Sequence, residues 1–167
     1  TYVSMLIMAK GYVQEETVSA VMSLTLASMC GCFSVPLWDK CNVSSFAQNV
    51  ISNLLMAIGT FLLFAVTSLP LLNIGVMFLG FSYGLGHVSQ TLALSELFPY
   101  YEFTPAFSMH TSIVNCSFVF PTLFGLIGAA FDNYDILFLL LSILSLVFGF
   151  AYFLCRPSVP RKKHFVG

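Results

Sequence analysis

YDILFLLLSILSLVFGFAYFL, residues 134–154, carries one charged side chain, Asp135, at its second position. Its 21 residues match the roughly 20 apolar residues that a helix needs to cross a bilayer. Barrel strands alternate in segments of about ten residues, and this run is continuous and twice that length. The stretch therefore reads as a membrane-spanning helix.

The same pattern recurs upstream. Spans are expected near 17–38, 46–69, 71–97 and 105–131, with 134–154 the fifth. The first starts after Glu15 and Glu16 and stops at Trp38-Asp39-Lys40. Pro70 separates the second from the third, which ends at Glu96-Leu97-Phe98-Pro99. Pro105 is placed in the first turn of the fourth, where a missing N–H costs nothing. Residues 1–10 open on an apolar run too short to span and lack a basic region before it, which reads as the tail of a truncated helix and not as a signal peptide. The fold class expected is an all-α polytopic transmembrane bundle over residues 1–155, with a basic tail over 156–167.

Composition agrees. Of 167 residues, 58% are hydrophobic and only 8% charged, against about a quarter charged in a soluble domain. So few charges cannot cover a water-facing surface. The net charge of −1 supplies no basic field for nucleic acid. The five cysteines form no CxxC pair or zinc-like Cys/His spacing and read as small apolar fillers. No cofactor or metal is expected. No phosphate-binding glycine loop, G-x-S-x-G or H-E-x-x-H is present, so an enzyme is not expected either.

Basic residues set the orientation. Lys40 follows the first full span; Arg156, Arg161, Lys162 and Lys163 follow the fifth. Four spans separate them, which puts both on the cytoplasmic side. Lys10 alone lies opposite. The sequons at Asn42-Val43-Ser44 and Asn115-Cys116-Ser117 fall in a cytoplasmic loop and inside a span, and both read as accidental.

Polar residues mark the spans that face water or one another. Tyr83, His87, Gln90 and Thr91 recur at helical spacing on the third span. Ser108, Ser112, Asn115 and Thr122 share a face of the fourth, which also carries His110. The first carries Ser19, Ser23, Thr25 and Ser28. The fifth has only Ser142 and Ser145 and is expected to face lipid. A polar stripe lines a cavity or bonds between helices, and periodicity alone does not decide. Gly80 and Gly84, in G-x-x-x-G spacing, suit either close packing or a helix that rocks between states.

The residues resemble a known family. Asp39-Lys40 at the end of a span is similar to the decayed second copy of the loop motif of the major facilitator superfamily. Val35 stands where that motif has glycine, and Asn42, Val43 and Ser44 stand in place of Gly and two basic residues. Leu79-Gly80-Phe81-Ser82-Tyr83-Gly84, Ser95-Glu96-Leu97-Phe98-Pro99, and Phe120-Pro121 through Gly125 and Gly128 to Phe131-Asp132 resemble its tenth and eleventh helices. Within the superfamily, Leu37-Trp38-Asp39-Lys40 and Leu79 to Tyr83 look most like lysosomal dipeptide transporters, with monocarboxylate transporters second. The resemblance implies the end of helix seven plus helices eight to twelve. It implies secondary transport of a small organic solute by alternating access, in a plasma or lysosomal membrane. The partners implied are the bilayer, the solute and the missing N-terminal half. Cavity candidates are Tyr83, His87, Gln90, Ser112 and Asn115, and Asp39 and Lys40 form a conformational gating loop. A non-transporting receptor or assembly protein of the same fold is the alternative.

Overall fold

A computed structural model of the chain describes residues 2–116, 126 and 135–154. Among them the regular structure is entirely helical: α1 Tyr2–Ala9, α2 Gln14–Lys40, α3 Ser45–Ala65, α4 Leu69–Leu97, α5 Tyr100–Cys116 and α6 Asp135–Leu154. Helices α2, α3, α4 and α6 are each long and apolar enough to cross a membrane. The span expected at 105–131 is helical to Cys116 as α5. The remainder of that span apart from Leu126, with Pro121, Gly125 and Gly128, lies outside the described residues, as does the tail over 156–167.

The ends of the helices follow from local chemistry. Helix α2 starts three residues before the expected boundary because Glu15 and Glu16 form its first turn, where carboxylates meet the positive end of the helix dipole. Glu16 also accepts the Val13 N–H at 3.0 Å. At the other end Asn42 adopts φ 61°, the left-handed conformation that asparagine tolerates. There the Val43 N–H reaches the Trp38 carbonyl at 3.0 Å and the Asn42 N–H reaches that of Asp39 at 2.9 Å. These two bonds form a Schellman end. Ser44 then caps α3, its hydroxyl accepting the Ala47 N–H at 3.3 Å. The first sequon is thus a corner in which Asn42 stops one helix and Ser44 starts the next.

Two prolines lie deeper than expected. Pro70 sits in the first turn of α4, so it begins that helix instead of standing between two. Pro105 is inside α5, which starts at Tyr100 immediately after Pro99. The Glu102 and Phe103 N–H groups both bond to the Pro99 carbonyl, nucleating the helix before Pro105 is reached.

Helix α4 is the centre of the bundle. It packs against α2 on one side and α3 on the other, and α3 carries α6 on its far side. Backbone meets backbone along both faces of α4. A Cβ added at Gly80 would collide with the Leu24 carbonyl, one at Gly84 with that of Ser28, and one at Gly31 of α2 with that of Phe81. On the α3 side, a Cβ at Gly59 would come within 2.8 Å of the Gly75 carbonyl oxygen. Small residues permit this approach, and without a hydrophobic force between helices in lipid, close packing supplies the attraction.

Polar groups fix the α3 face. Ser52 donates to the Ser82 carbonyl at 2.8 Å, and Ser89 donates to the Asn49 Oδ1 at 3.2 Å. Ser142 of α6 donates to the Ala57 carbonyl at 2.9 Å. Gln48 and Asn49, near the start of α3, are fully buried. Apart from its two buried serines, α6 shows mostly apolar side chains outward, among them Ile143, Phe150 and Phe153.

The short α1 is seated in a slot of the bundle. Leu6 and Ile7 are buried with Ala20, Leu63, Leu72, Val76 and Phe138. Lys10 then turns across the end of α3, where its ammonium donates to the carbonyls of Leu63 and Val66 at 2.8 Å and Phe64 at 3.3 Å. Asp135, at the start of α6, lies 3.5 Å from the same ammonium. Tyr12 donates its hydroxyl to the Thr67 carbonyl beside it.

Candidate functional site

The polar residues of α4 divide between two directions. Ser82 and Ser89 are buried on the α3 side, where the Ser82 hydroxyl donates to the Leu79 carbonyl of its own helix at 2.8 Å and the Ser89 hydroxyl to Asn49 Oδ1. Tyr83 and His87 are exposed, and their rings stack with centroids 6.3 Å apart and planes 6° from parallel. They stand one turn apart, which is what superposes two flat rings on a helix face.

Gln90 continues the same face and is half-buried because α5 crosses it. Its Oε1 lies 3.3 Å from His110 Nε2. The amide oxygen can only accept, so the contact is a hydrogen bond in the tautomer that carries the imidazole proton on Nε2. Thr91, also expected in the stripe, turns its hydroxyl to the His87 carbonyl of its own helix at 3.3 Å.

The structure therefore brings together Tyr83, His87, Gln90 and His110. Ser112 is not with them. It lies two residues from His110, about 200° around the helix, and so points away from α4. It is exposed and donates to the Ser108 carbonyl at 2.9 Å. Asn115 is in the last turn of α5, and its side chain lies outside the described residues. His110 was legible only as a lone histidine near a span end; no period identifies its partner, because that depends on which face of α5 meets α4.

Asp39 and Lys40 are both exposed, and they form the last turn of α2 instead of a loop. Lys40 stands where the negative end of the helix dipole favours a cation. Close by in the chain, Ser45 at the start of α3 donates to Glu96 Oε2 at 2.5 Å, tying α3 to the end of α4.

The cluster offers a phenol, two imidazoles and an amide on one helix face and its neighbour. Such groups can bind a polar solute by hydrogen bonds and, when an imidazole is protonated, by charge. Tyr83 also borders a mostly apolar groove on its other side. Comparison with models of known protein families, with curated proteins and with solved structures finds no match.

Proposed function

We propose that the chain is the C-terminal half of a secondary transporter of the major facilitator type, moving a small organic solute by alternating access. The observation that carries this reading is the Tyr83–His87 face of α4. The central helix of an apolar bundle leaves a phenol and an imidazole exposed, while the hydroxyls of its buried Ser82 and Ser89 are bonded to Leu79 and Asn49. Ionisable groups within spans face a bundle interior or a water-filled path. Solute would bind where Tyr83, His87 and Gln90 face a partner half. The His110 contact on Gln90 then couples α5 to the occupied state.

Flux into proteoliposomes tests the reading, with dipeptides and monocarboxylates as probes. Saturable uptake that His87→Gln alters is the expected result. Binding of a probe without uptake would overturn transport and favour a receptor of the same fold.

A further inference from the structure

The Tyr83 and His87 rings lie parallel on one exposed side of α4. Residues i and i+4 of a helix are about 6 Å apart along its axis. The two centroids are 6.3 Å apart and the planes 6° from parallel, so the rings stand nearly at the spacing of the backbone that carries them. Tyr83 is 58% exposed, and His87 is exposed as well. Among the described residues, neither the Tyr83 hydroxyl nor a His87 ring nitrogen has a hydrogen-bond partner.

The backbone between the two rings is held from both sides. Gly84, Leu85 and Gly86 are all buried. A Cβ added at Gly84 would collide with the Ser28 carbonyl of α2, and one at Gly86 would come within 2.6 Å of Ser52 Oγ on α3. Neither ring can be displaced by a twist of this turn. A flat guest therefore meets two flat faces already in place, and little ordering is lost on binding.

The polar edge of the surface is Gln90. It stands about two turns beyond Tyr83 and within about 20° of it around the helix. Its Oε1 faces His110 Nε2, which leaves the amide N–H groups as donors without a partner among the described residues. The described parts of α4 and α5 bring no carboxylate to this face: Glu96 is bonded to Ser45 at the end of α4, and Glu102 lies in the first turn of α5. The surface therefore offers π faces and donors, and no anion to neutralise a cationic guest.

We propose that the solute of this site carries a flat aromatic ring that stacks on the Tyr83–His87 pair, and an oxygen acceptor that receives the Gln90 amide N–H. The proposal rests on the transport reading of the same site and adds to it the shape of the solute. Stacking of aromatic rings contributes about two- to twelve-fold in affinity beyond the area buried. A saturated ring is puckered, carries hydrogens on both sides, and has no π face to offer.

Benzoate and cyclohexanecarboxylate make the matched probes. Each joins a six-membered ring to one carboxylate. The saturated ring is the more hydrophobic, so burial of area alone favours cyclohexanecarboxylate, whereas stacking favours benzoate. Equilibrium binding of radiolabelled benzoate to the chain in lipid nanodiscs, with cyclohexanecarboxylate as competitor, reads the ratio. Benzoate is expected to bind about two- to twelve-fold more tightly. Tyr83→Leu should bring the ratio to one or below, and Tyr83→Phe, which keeps the face, should retain it. Gln90→Leu should weaken both probes by a similar factor. No saturable benzoate binding, a ratio at or below one in the unaltered chain, or a ratio unchanged in Tyr83→Leu would overturn the proposal. So would tetramethylammonium binding more tightly than benzoate, the mark of a cation cage. Saturable uptake of an aliphatic solute by a chain that fails this test would leave the transport reading standing. Benzoate preference without uptake of any probe would leave the ring preference standing and overturn transport.

Discussion

Gln90 on α4 and His110 on α5 meet side chain to side chain, Oε1 to Nε2 at 3.3 Å. Helix α5 packs on α4 more than on any other helix described, and this bond ties the two side chain to side chain. Gln90→Ala and His110→Ala remove the same interaction. Their effects on thermal stability in detergent should therefore be non-additive, with a coupling of about 0.5–1.5 kcal/mol. Strictly additive losses would show that the two residues act separately.

His87→Gln keeps hydrogen bonding and removes the capacity for charge. His87→Ala removes the hydrogen-bonding ring as well, so saturable uptake should fall further in it than in His87→Gln. His110→Gln serves as the control for the second imidazole of the cluster. Uptake by both His87 variants equal to wild type would reduce His87 to packing.

Lys10 holds three carbonyls at the end of α3. Lys10→Met keeps much of the length of the side chain and leaves those acceptors without it, at a cost of about 1.5–3 kcal/mol. Asp135→Asn should cost less, about 0–1 kcal/mol, because the Asp135 side chain is 45% exposed. Melting curves of the two variants check the order; an equal or larger loss for Asp135→Asn would make the ion pair, and not the carbonyl capping, the main bond.

Gly84→Val places a side chain against the Ser28 carbonyl. The backbone cannot yield as a flexible side chain could, so the loss should be at least the 1–3 kcal/mol typical of overpacking. Gly11→Val makes a useful contrast. It has open space around it but φ 89°, so its smaller loss comes from backbone strain. Chemical denaturation in mixed micelles would rank them.

Cys41 lies at the corner after α2 and is exposed. As the sole cysteine it should resist an impermeant thiol reagent added outside intact cells and react once the membrane is opened. Labelling from outside would invert the orientation drawn from Lys40 and the basic tail.

The helices were legible because each long apolar run admits only one backbone that satisfies its own polar groups in lipid. Their faces were less so. Tyr83 and Ser82 are both polar neighbours on α4, yet one is exposed and the other is buried where α3 packs, since the sequence does not say where α3 lies. Ser112 was grouped by period with its own helix face, and that face turned out to point away from α4. The buried Asn49 finds its side-chain partner, Ser89, on α4, a pairing that no local spacing in the sequence reveals. Gly80 and Gly84 suited close packing or a rocking helix alike, and their spacing did not say that they would lie against α2.

That seam has a mechanical consequence. Where the carbonyls of Leu24 and Ser28 lie against Gly80 and Gly84, no side chain stands between the two backbones to change rotamer and absorb a displacement. Helices α2 and α4 are therefore geared together as one plank, and relative motion must concentrate where the mesh ends. On the described chain α5 begins past that mesh, after the Phe98–Pro99 corner, so no backbone seam of this kind holds it to α2.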